Sequence, residues 1–256
     1  MQFAMIDRGD AHSQEISLHI KEVCETKGWT FDPHHPDLVF CIGGDGTLLR
    51  AIHHYLSILE DTLFLGIHTG TLGFFTDYTD DELLQMLEDI EKEPRIEESR
   101  LLQAWFPETG QCIYALNEIR LESVTRTLRM NLSIDGEFFE QSNGSGICVC
   151  SQAGSTGVNR ALNGAVIDAG LKVMQLTEIM PIAHKNHHSL RNPFIMNDRR
   201  VITIDSDNLQ GTICSYDHLK LDADDFHHIE ISTSQRKVRF ARYRPYSYLK
   251  RLKNLY

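Results

Sequence analysis

The feature that most constrains this chain is a short buried strand that runs directly into a glycine-rich turn and then into a helix. Residues 38–42, Leu-Val-Phe-Cys-Ile, form the continuous apolar run that is typical of a strand covered on both faces. The pentad 43–47, Gly-Gly-Asp-Gly-Thr, follows, and apolar residues then recur with helical spacing over 48–56. Glycines let backbone amides approach a phosphate, and a helix N-terminus favours negative charge. This order predicts an α/β domain with a phosphate cradle formed by Gly43, Gly44 and Thr47.

Asp45 is the unusual member of the pentad. A carboxylate in a phosphate-binding turn repels its ligand unless it accepts a proton, orients a hydroxyl or holds a metal ion. The alternative interpretation is a plain glycine turn with a helix-capping aspartate. The chain has no G-x-x-x-x-G-K-[ST] run, so the pattern excludes a P-loop kinase.

Helical and strand-like segments alternate through residues 1–98. We expect a helix near 13–27 and a second buried strand over 63–67. The spacing of Thr79 and Glu82 predicts a capping box at the start of a further helix. These residues are therefore predicted to form an α/β domain that carries the glycine turn.

After about residue 99 the apolar period changes to two, which is typical of strands with one buried face. Apolar and polar residues alternate over 128–135, and Asp135-Gly136 offers a hairpin turn. Further strands are expected near 112–122, 147–151, 201–205, 212–216 and 228–232, with a short helix over 158–168. Residues 99–236 are therefore predicted to form a β-rich domain.

The end of the chain is strongly basic, although the formal net charge of the whole chain is −11. Eight Lys and Arg residues and no acidic residue occur in the last 21 positions. Such a tail, interleaved with aromatic residues, could be a nucleic-acid arm. Because the rest of the chain is acidic, we favour a basic strand and helix over 237–256 that pack back on the N-terminal domain, and no nucleic-acid partner.

The lack of a recognisable targeting signal and the spacing of the cysteines predict a cytoplasmic protein without a membrane partner. The N-terminus lacks a basic segment followed by an apolar one, and no run approaches the ~18 apolar residues of a membrane span. The six cysteines contain no C-x-x-C pair, so we expect reduced, structural thiols.

The pentad resembles the signature shared by NAD kinases, diacylglycerol-type and sphingosine-type lipid kinases and, more distantly, phosphofructokinases. Other stretches are similar to NAD kinases in particular, and the end of the chain is similar to the Gram-positive bacterial type. These stretches are Ile67–Phe74, Leu116–Glu118, Gly154–Gly157, Met174–Ile179, Asp217-His218 and Val238–Pro245. The resemblance to the NAD kinase family therefore covers almost the whole chain.

That resemblance implies phosphorylation of the 2′-hydroxyl of the adenosine ribose of NAD, with ATP, another nucleoside triphosphate or polyphosphate as donor and Mg²⁺ or another divalent cation. It implies that Asp45 accepts the hydroxyl proton, and that no protein side chain is a dedicated metal ligand. Asn117 and Glu118 would bind the nicotinamide-side ribose, whose diol suits a donor-acceptor amide beside an acceptor carboxylate. It also implies a homodimer or homotetramer with the nucleotide near a subunit interface. The other implied nucleotide contacts are Gly46, Leu49, Leu72, Phe74, Asn143, Ser145, Ala153, Thr156, Gly157, Val158, Ala161 and His218.

Three positions depart from the family pattern. Ser145, in the run 143–146, stands where an aspartate is usual, Val158 replaces a tyrosine, and Ser151-Gln152 replaces Thr-Pro. These departures leave open a catalytically weakened NAD(P)-binding regulator of the same fold. A diacylglycerol-type lipid kinase is the other alternative, because it shares the glycine-aspartate turn.

A histidine cluster in the C-terminal half has spacing that could bind a transition metal. It consists of His184, His187 and His188, with Pro181, Asn186 and Asn192 nearby. We interpret this stretch as a polar loop rather than a metal site.

Overall fold

The computed structural model describes residues 1–70, 72–182 and 189–255, so the histidines at 184, 187 and 188 lie outside the described residues. The chain divides into two compact units. The first comprises Met1–Ser99 and Arg236–Tyr256, and the second comprises Arg100–Gln235. In the described ranges, no helix has the length and apolar character to cross a membrane.

The first unit contains the elements β1 (Gln2–Asp7), α1 (Ala11–Thr26), β2 (Thr30–Phe31), β3 (Leu38–Gly43), α2 (Asp45–His54), β4 (Leu63–His68), β5 (Thr76–Thr79), α3 (Leu83–Asp89) and α5 (Tyr248–Leu252). It is built on a parallel sheet in the order β2-β1-β3-β4-β5. The tail returns to this sheet, because Arg239 and Phe240 pair in parallel with Leu63 and Phe64 of β4. The α/β architecture predicted for the N-terminal half is confirmed.

Local sequence explains the helices of this unit. Asp10 caps α1, since its carboxylate accepts the Ser13 N–H at 3.1 Å. Before α3, Thr79 and Glu82 form the predicted capping box. Every residue of β3 is buried, which is why this strand is continuously apolar in sequence.

The second unit is mainly β. Its elements are β6 (Arg95–Phe106), which starts in the first unit, β7 (Gln111–Ala115), β8 (Glu118–Glu122), β9 (Leu128–Ile134), β10 (Glu137–Gly144), β11 (Gly146–Ser151), α4 (Val158–Ala161), β12 (Val173–Ile179), β13 (Phe194–Asn197), β14 (Ile202–Asp205), β15 (Ile213–Tyr216), β16 (Leu219–Asp222) and β17 (His228–Arg242). One antiparallel sheet runs β10-β9-β14-β17. A six-stranded sheet runs β13-β12-β11-β8-β15-β16.

The hairpin between β9 and β10 follows the predicted pattern. Leu128, Met130 and Leu132 are buried on one face of β9. Asp135 and Gly136 both have positive φ, 54° and 80°, as the tight turn predicted from the Asp-Gly dipeptide requires.

Two sequence predictions were wrong in extent. The helix expected over 158–168 has one turn, Val158–Ala161, because Asn163 adopts a left-handed conformation with φ of 61° that ends it. The strand expected over 112–122 is two strands, β7 and β8. Between them the amides of Leu116 and Asn117 bond a side chain rather than a neighbouring strand.

Candidate functional site

Asp45 is held in one orientation by two backbone amides. It is the first residue of α2, beside the carboxyl end of β3. Its Oδ2 accepts the Phe74 N–H at 2.8 Å and its Oδ1 accepts the Phe75 N–H at 3.0 Å. A carboxylate has about four acceptor positions, so both oxygens keep capacity for a further donor.

Gly73 allows this arrangement. A Cβ placed on Gly73 would lie 2.2 Å from Asp45 Oδ1 and 2.6 Å from its Cγ. Any side chain at position 73 would therefore displace the Asp45 carboxylate or the two amides that follow.

The glycine turn itself is tightly folded. A Cβ on Gly43 would lie 2.3 Å from Thr47 Oγ1, and Thr47 is buried. Gly44 is the N-cap of α2, and within the described ranges no side chain caps this end. Gly46 is exposed and Leu49 is buried. Uncapped first-turn amides at a helix N-terminus suit an anionic ligand.

Burial raises the pKa of Asp45 above its ordinary value. The amides of Phe74 and Phe75 oppose this rise, as do the side chains of Arg251 and His68. His68 is buried, and its Nδ1 donates to the Gly70 carbonyl at 2.9 Å, because a carbonyl can only accept. Its Nε2 has no partner among the described residues. Asp45 is thus a carboxylate whose proton affinity is raised while its orientation is fixed.

A second cluster, in the other unit, forms where β8 begins. The Asp217 carboxylate accepts the N–H of Leu116 at 2.8 Å and that of Asn117 at 2.7 Å. The Asp217 N–H donates to the Glu118 carbonyl at 3.2 Å. Asp217 has a φ of 49°, in the turn between β15 and β16. This turn therefore fixes the backbone that carries Asn117 and Glu118.

The segment after β11 packs against the same backbone. The Ser151 N–H donates to the Asn117 carbonyl at 2.9 Å, and the Ser151 hydroxyl accepts the Gly154 N–H at 3.1 Å. A Cβ on Gly154 would lie 2.0 Å from the Asn117 carbonyl oxygen. A Cβ on Gly157 would lie 3.4 Å from Glu118 Oε2. The structure thus brings together two motifs that are more than thirty positions apart in sequence.

Two oxygens in this cluster are buried without a partner among the described residues, Asn117 Oδ1 and Glu118 Oε2. The pKa of Glu118 is raised to about 7, mainly by burial and also by the charges of Asp217 and Glu122, and Arg120 opposes this rise. Near neutral pH the Glu118 carboxyl is therefore partly protonated and can donate as well as accept. Buried unsatisfied acceptors are costly, so such a pair suits a polar ligand.

The other residues expected around this cluster divide into two groups. Ala153, Thr156, Val158 and Ala161 follow β11 on the segment that packs on Asn117 and Glu118, and exposed His218 directly follows Asp217. Asn143 and Ser145 lie elsewhere. Cys150 pairs with Glu118 across β11 and β8, whereas Gly146 pairs with Glu122, which puts Ser145 about 17 Å along the sheet from Glu118 at ~3.4 Å per residue.

Family models match both halves of the chain. A model described as the ATP-NAD kinase N-terminal domain matches residues 8–96, and one described as the ATP-NAD kinase C-terminal domain matches residues 116–243. The chain belongs to the NAD kinase family. The resemblance that the motifs indicated is thereby confirmed.

Relatives in the family match over nearly their full length. NAD kinase 1 of Halalkalibacterium halodurans is 36% identical over 258 residues, with 99% of this chain and 97% of the relative covered. The NAD kinase of Lysinibacillus sphaericus is 35% identical over 256 residues, with 98% of this chain and 97% of the relative covered.

Solved structures of the family share the fold. An NAD kinase from Archaeoglobus fulgidus, crystallised in complex with ATP, has a TM-score of 0.76 at 23% identity and covers 100% of this chain and 97% of its own. Yeast NADH kinase, complexed with NADH, has a TM-score of 0.85 at 15% identity and covers 100% of this chain and 87% of its own. The two-domain fold predicted from the sequence, an α/β domain followed by a β-rich one, is confirmed.

Sequence reasoning about the site missed two residues that the geometry makes prominent. Gly73 was part of the stretch 67–74 but was given no role, although it makes room for Asp45. Asp217 was only a neighbour of His218, although its carboxylate binds two amides of another strand end. Its sequence signal was an aspartate in a two-residue turn, which predicts a local role and not a contact 100 residues away. Leu72 and Phe74, which flank Gly73, are half-buried, and their contact with a nucleotide stays a prediction.

Proposed function

We propose that this protein is an NAD kinase that transfers the γ-phosphoryl group of ATP to the 2′-hydroxyl of the adenosine ribose of NAD and releases NADP and ADP. The observation that carries the proposal is Asp45, an oriented carboxylate at a helix N-terminus that no side chain of the described residues caps, in a chain that belongs to this family. The family assignment also favours this activity over a diacylglycerol-type lipid kinase, which shares the turn alone.

Asp45 acts as the proton acceptor in the proposed reaction. One of its oxygens accepts a hydrogen bond from the 2′-hydroxyl. It takes the proton as the hydroxyl oxygen bonds to the γ-phosphorus. The bond from that phosphorus to the ADP oxygen breaks in the same step. Phosphoryl transfer depends mostly on positioning and charge stabilisation. The two amides supply the positioning, and burial supplies a proton affinity above that of an ordinary aspartate.

Asn117 and Glu118 bind the nicotinamide-side ribose of NAD in this proposal. Asn117 Oδ1 and Glu118 Oε2 are buried with no partner among the described residues and can accept from vicinal hydroxyls, and the raised pKa of Glu118 lets its carboxyl donate as well. Thr156, Gly157 and Val158 lie on the segment packed against them and would contact the base. Gly43, Gly44 and Thr47 would cradle phosphate.

A divalent cation would enter with the triphosphate. Among residues 1–70, 72–182 and 189–255 there is no group of three or more His, Cys, Asp or Glu side chains arranged to hold a metal. Mg²⁺ usually keeps several waters and binds substrate phosphates, so the triphosphate would hold the cation at the turn while Asp45 stays available to the hydroxyl. When bound, the cation neutralises charge on the transferring phosphoryl group.

We also propose a cytoplasmic homo-oligomer with a second copy completing the nucleotide site. The six free cysteines fit a reducing compartment. Ser145 is far from Glu118 within one chain, and its hydroxyl contacts the sulfur of Met180, which is 75% exposed. Nearby Ile182, bonded to the Asn143 carbonyl, is 53% exposed, so an apolar surface adjoins these two residues. Light scattering on the purified protein tests the assembly.

A direct assay tests the activity. Purified protein is incubated with NAD, ATP and Mg²⁺, and NADP is measured with an NADP-specific dehydrogenase. We expect NADP from wild type and at least ~10²-fold lower kcat from Asp45→Asn, because the positioned base is lost. Replacing both Asn117 and Glu118 by alanine should raise KM for NAD and leave KM for ATP nearly unchanged.

Three outcomes would contradict this proposal in different ways. NAD binding without turnover in wild type would identify a regulator of the same fold. Phosphorylation of diacylglycerol vesicles without NADP would identify a lipid kinase. Near-wild-type turnover by Asp45→Asn would remove this carboxylate from the reaction.

A further inference from the structure

Side chains of the basic tail donate hydrogen bonds to the backbone carbonyls of residues 74–77, the segment whose amides orient Asp45. The Tyr246 hydroxyl donates to the Phe74 carbonyl at 2.8 Å. The next three carbonyls are also bonded by tail side chains: Phe75 by Arg242, Thr76 by Arg251 and Asp77 by Arg244. The four consecutive carbonyls of residues 74–77 therefore receive donors from the tail, while the amides of Phe74 and Phe75 bond Asp45.

The tail side chains contact one another and share one carboxylate partner. Two guanidinium groups lie over the Tyr246 ring, with the Cζ of Arg242 at 4.2 Å and that of Arg251 at 4.0 Å from its centroid. Both guanidinium groups bond the Asp77 carboxylate, at 2.8 and 3.3 Å. The side chains of Arg242, Arg251 and Asp77 are only 2%, 6% and 2% exposed. A buried, charge-paired stack of this kind has little freedom to shift, because unpairing any member leaves an uncompensated charge.

From this continuity we propose that Tyr246, Arg242 and Arg251 are positioning residues for the phosphoryl transfer, because they set the position of the amides that orient Asp45. The inference rests on the proposed function of Asp45 as proton acceptor. None of the three needs to touch substrate. The tail therefore contributes to catalysis through Asp45 as well as to the packing of the first unit.

A purely structural role for the tail predicts a different result. If the tail only stabilises the unit, loosening it lowers the melting temperature and leaves turnover per folded molecule unchanged. If it positions Asp45, loosening it weakens two N–H bonds that stabilise the carboxylate, so the acidic limb of the pH profile of kcat moves to higher pH. The other groups that face Asp45 electrostatically are Arg251 from α5 and His68 from β4.

Tyr246→Phe separates these possibilities, since it deletes one hydroxyl and keeps the ring that contacts the guanidinium groups. Tyr243→Phe is the matched control, because the Tyr243 ring packs against the core of the first unit and, in the described part of the chain, its hydroxyl makes no hydrogen bond to residues 74–77. We expect Tyr246→Phe to lower kcat about tenfold, given that a full 1 Å misplacement costs about 10²-fold. Its acidic limb should move to higher pH while KM for NAD stays unchanged. Tyr243→Phe should match wild type.

Amide hydrogen exchange provides a readout that does not depend on activity. Exchange at Phe74 and Phe75 should accelerate in Tyr246→Phe, relative to wild type and relative to the amides of β3. Unchanged kcat, pH profile and exchange in Tyr246→Phe, alongside an inactive Asp45→Asn, would overturn the positioning role. A fully active Asp45→Asn would instead refute the role of Asp45, and with it the catalytic part of this inference, whereas the exchange data would still decide whether the tail holds the segment.

Discussion

Replacing Gly73 by alanine should disable this protein without unfolding it. The new Cβ would lie 2.2 Å from Asp45 Oδ1, where ordinary contact begins near 3.4 Å, so carboxylate and loop must separate by about 1.2 Å. The amides of Phe74 and Phe75 follow directly in the chain, so the separation disturbs both hydrogen bonds that orient Asp45. A misplacement of about 1 Å costs about 10²-fold in rate, so we expect kcat to fall by about that factor, or ~2.7 kcal/mol of transition-state stabilisation.

The assay compares two alanine variants from the same loop. Gly70→Ala is the control, because a Cβ there has no neighbour within 4 Å in the part of the chain that the structure describes. NADP formation gives kcat and both KM values, and thermal melting tests the fold. We expect Gly73→Ala to lose turnover at nearly unchanged KM for NAD, and Gly70→Ala to resemble wild type.

A double-mutant cycle links the loss to Asp45. In an Asp45→Ala background the carboxylate that clashes is absent, so adding Gly73→Ala should cost little more. Near-wild-type turnover of Gly73→Ala would refute the steric reasoning. An equal loss in both backgrounds would show that position 73 acts independently of Asp45.

Three further predictions concern the second unit. Asp217→Asn should raise KM for NAD severalfold, because an NH2 group that cannot accept a hydrogen bond replaces one of the two accepting carboxylate oxygens, and NMR titration should show a lower pKa for Glu118 because a neighbouring negative charge is gone. The pair Ser145→Asp and Val158→Tyr should tighten NAD binding by about 1.5–3 kcal/mol, since a charged acceptor and a stacking ring are restored, and calorimetry with unchanged Kd would reject that alignment. The carboxylates of Asp205 and Glu230 raise the pKa of His228, so its stabilising contribution is complete below about pH 6.5 and is lost as pH rises through the folded-state value. Because His228 and Asp205 are partly exposed, we expect this contribution to the free energy of unfolding to be under ~1 kcal/mol. The difference in melting temperature between wild type and His228→Gln should therefore be larger at pH 5.5 than at pH 8.5.

Local patterns in the sequence determined much of the fold. The capping box at Thr79 and the Asp135-Gly136 hairpin reflect preferences of neighbouring residues, and the apolar run of β3 and the alternation of β9 report which faces of those strands are buried. The errors also lie at local boundaries. The sequence pattern predicted a longer helix, which ends before Asn163 because a residue in the left-handed conformation cannot continue a right-handed helix.

Contacts between distant segments were decided only by the tertiary structure. The sequence marked Asp45 through the glycine turn, but residues 74 and 75 supply its two amides and Gly73 supplies the space. It likewise marked Asn117 and Glu118, whereas Asp217 fixes their backbone from 100 positions away. Side-chain periodicity reports which face of an element is buried and carries no record of which backbone amide a buried carboxylate will bond. That choice depends on how the sheets bring strand ends together, which is why the sequence indicated the chemistry of the site and the fold determined its geometry.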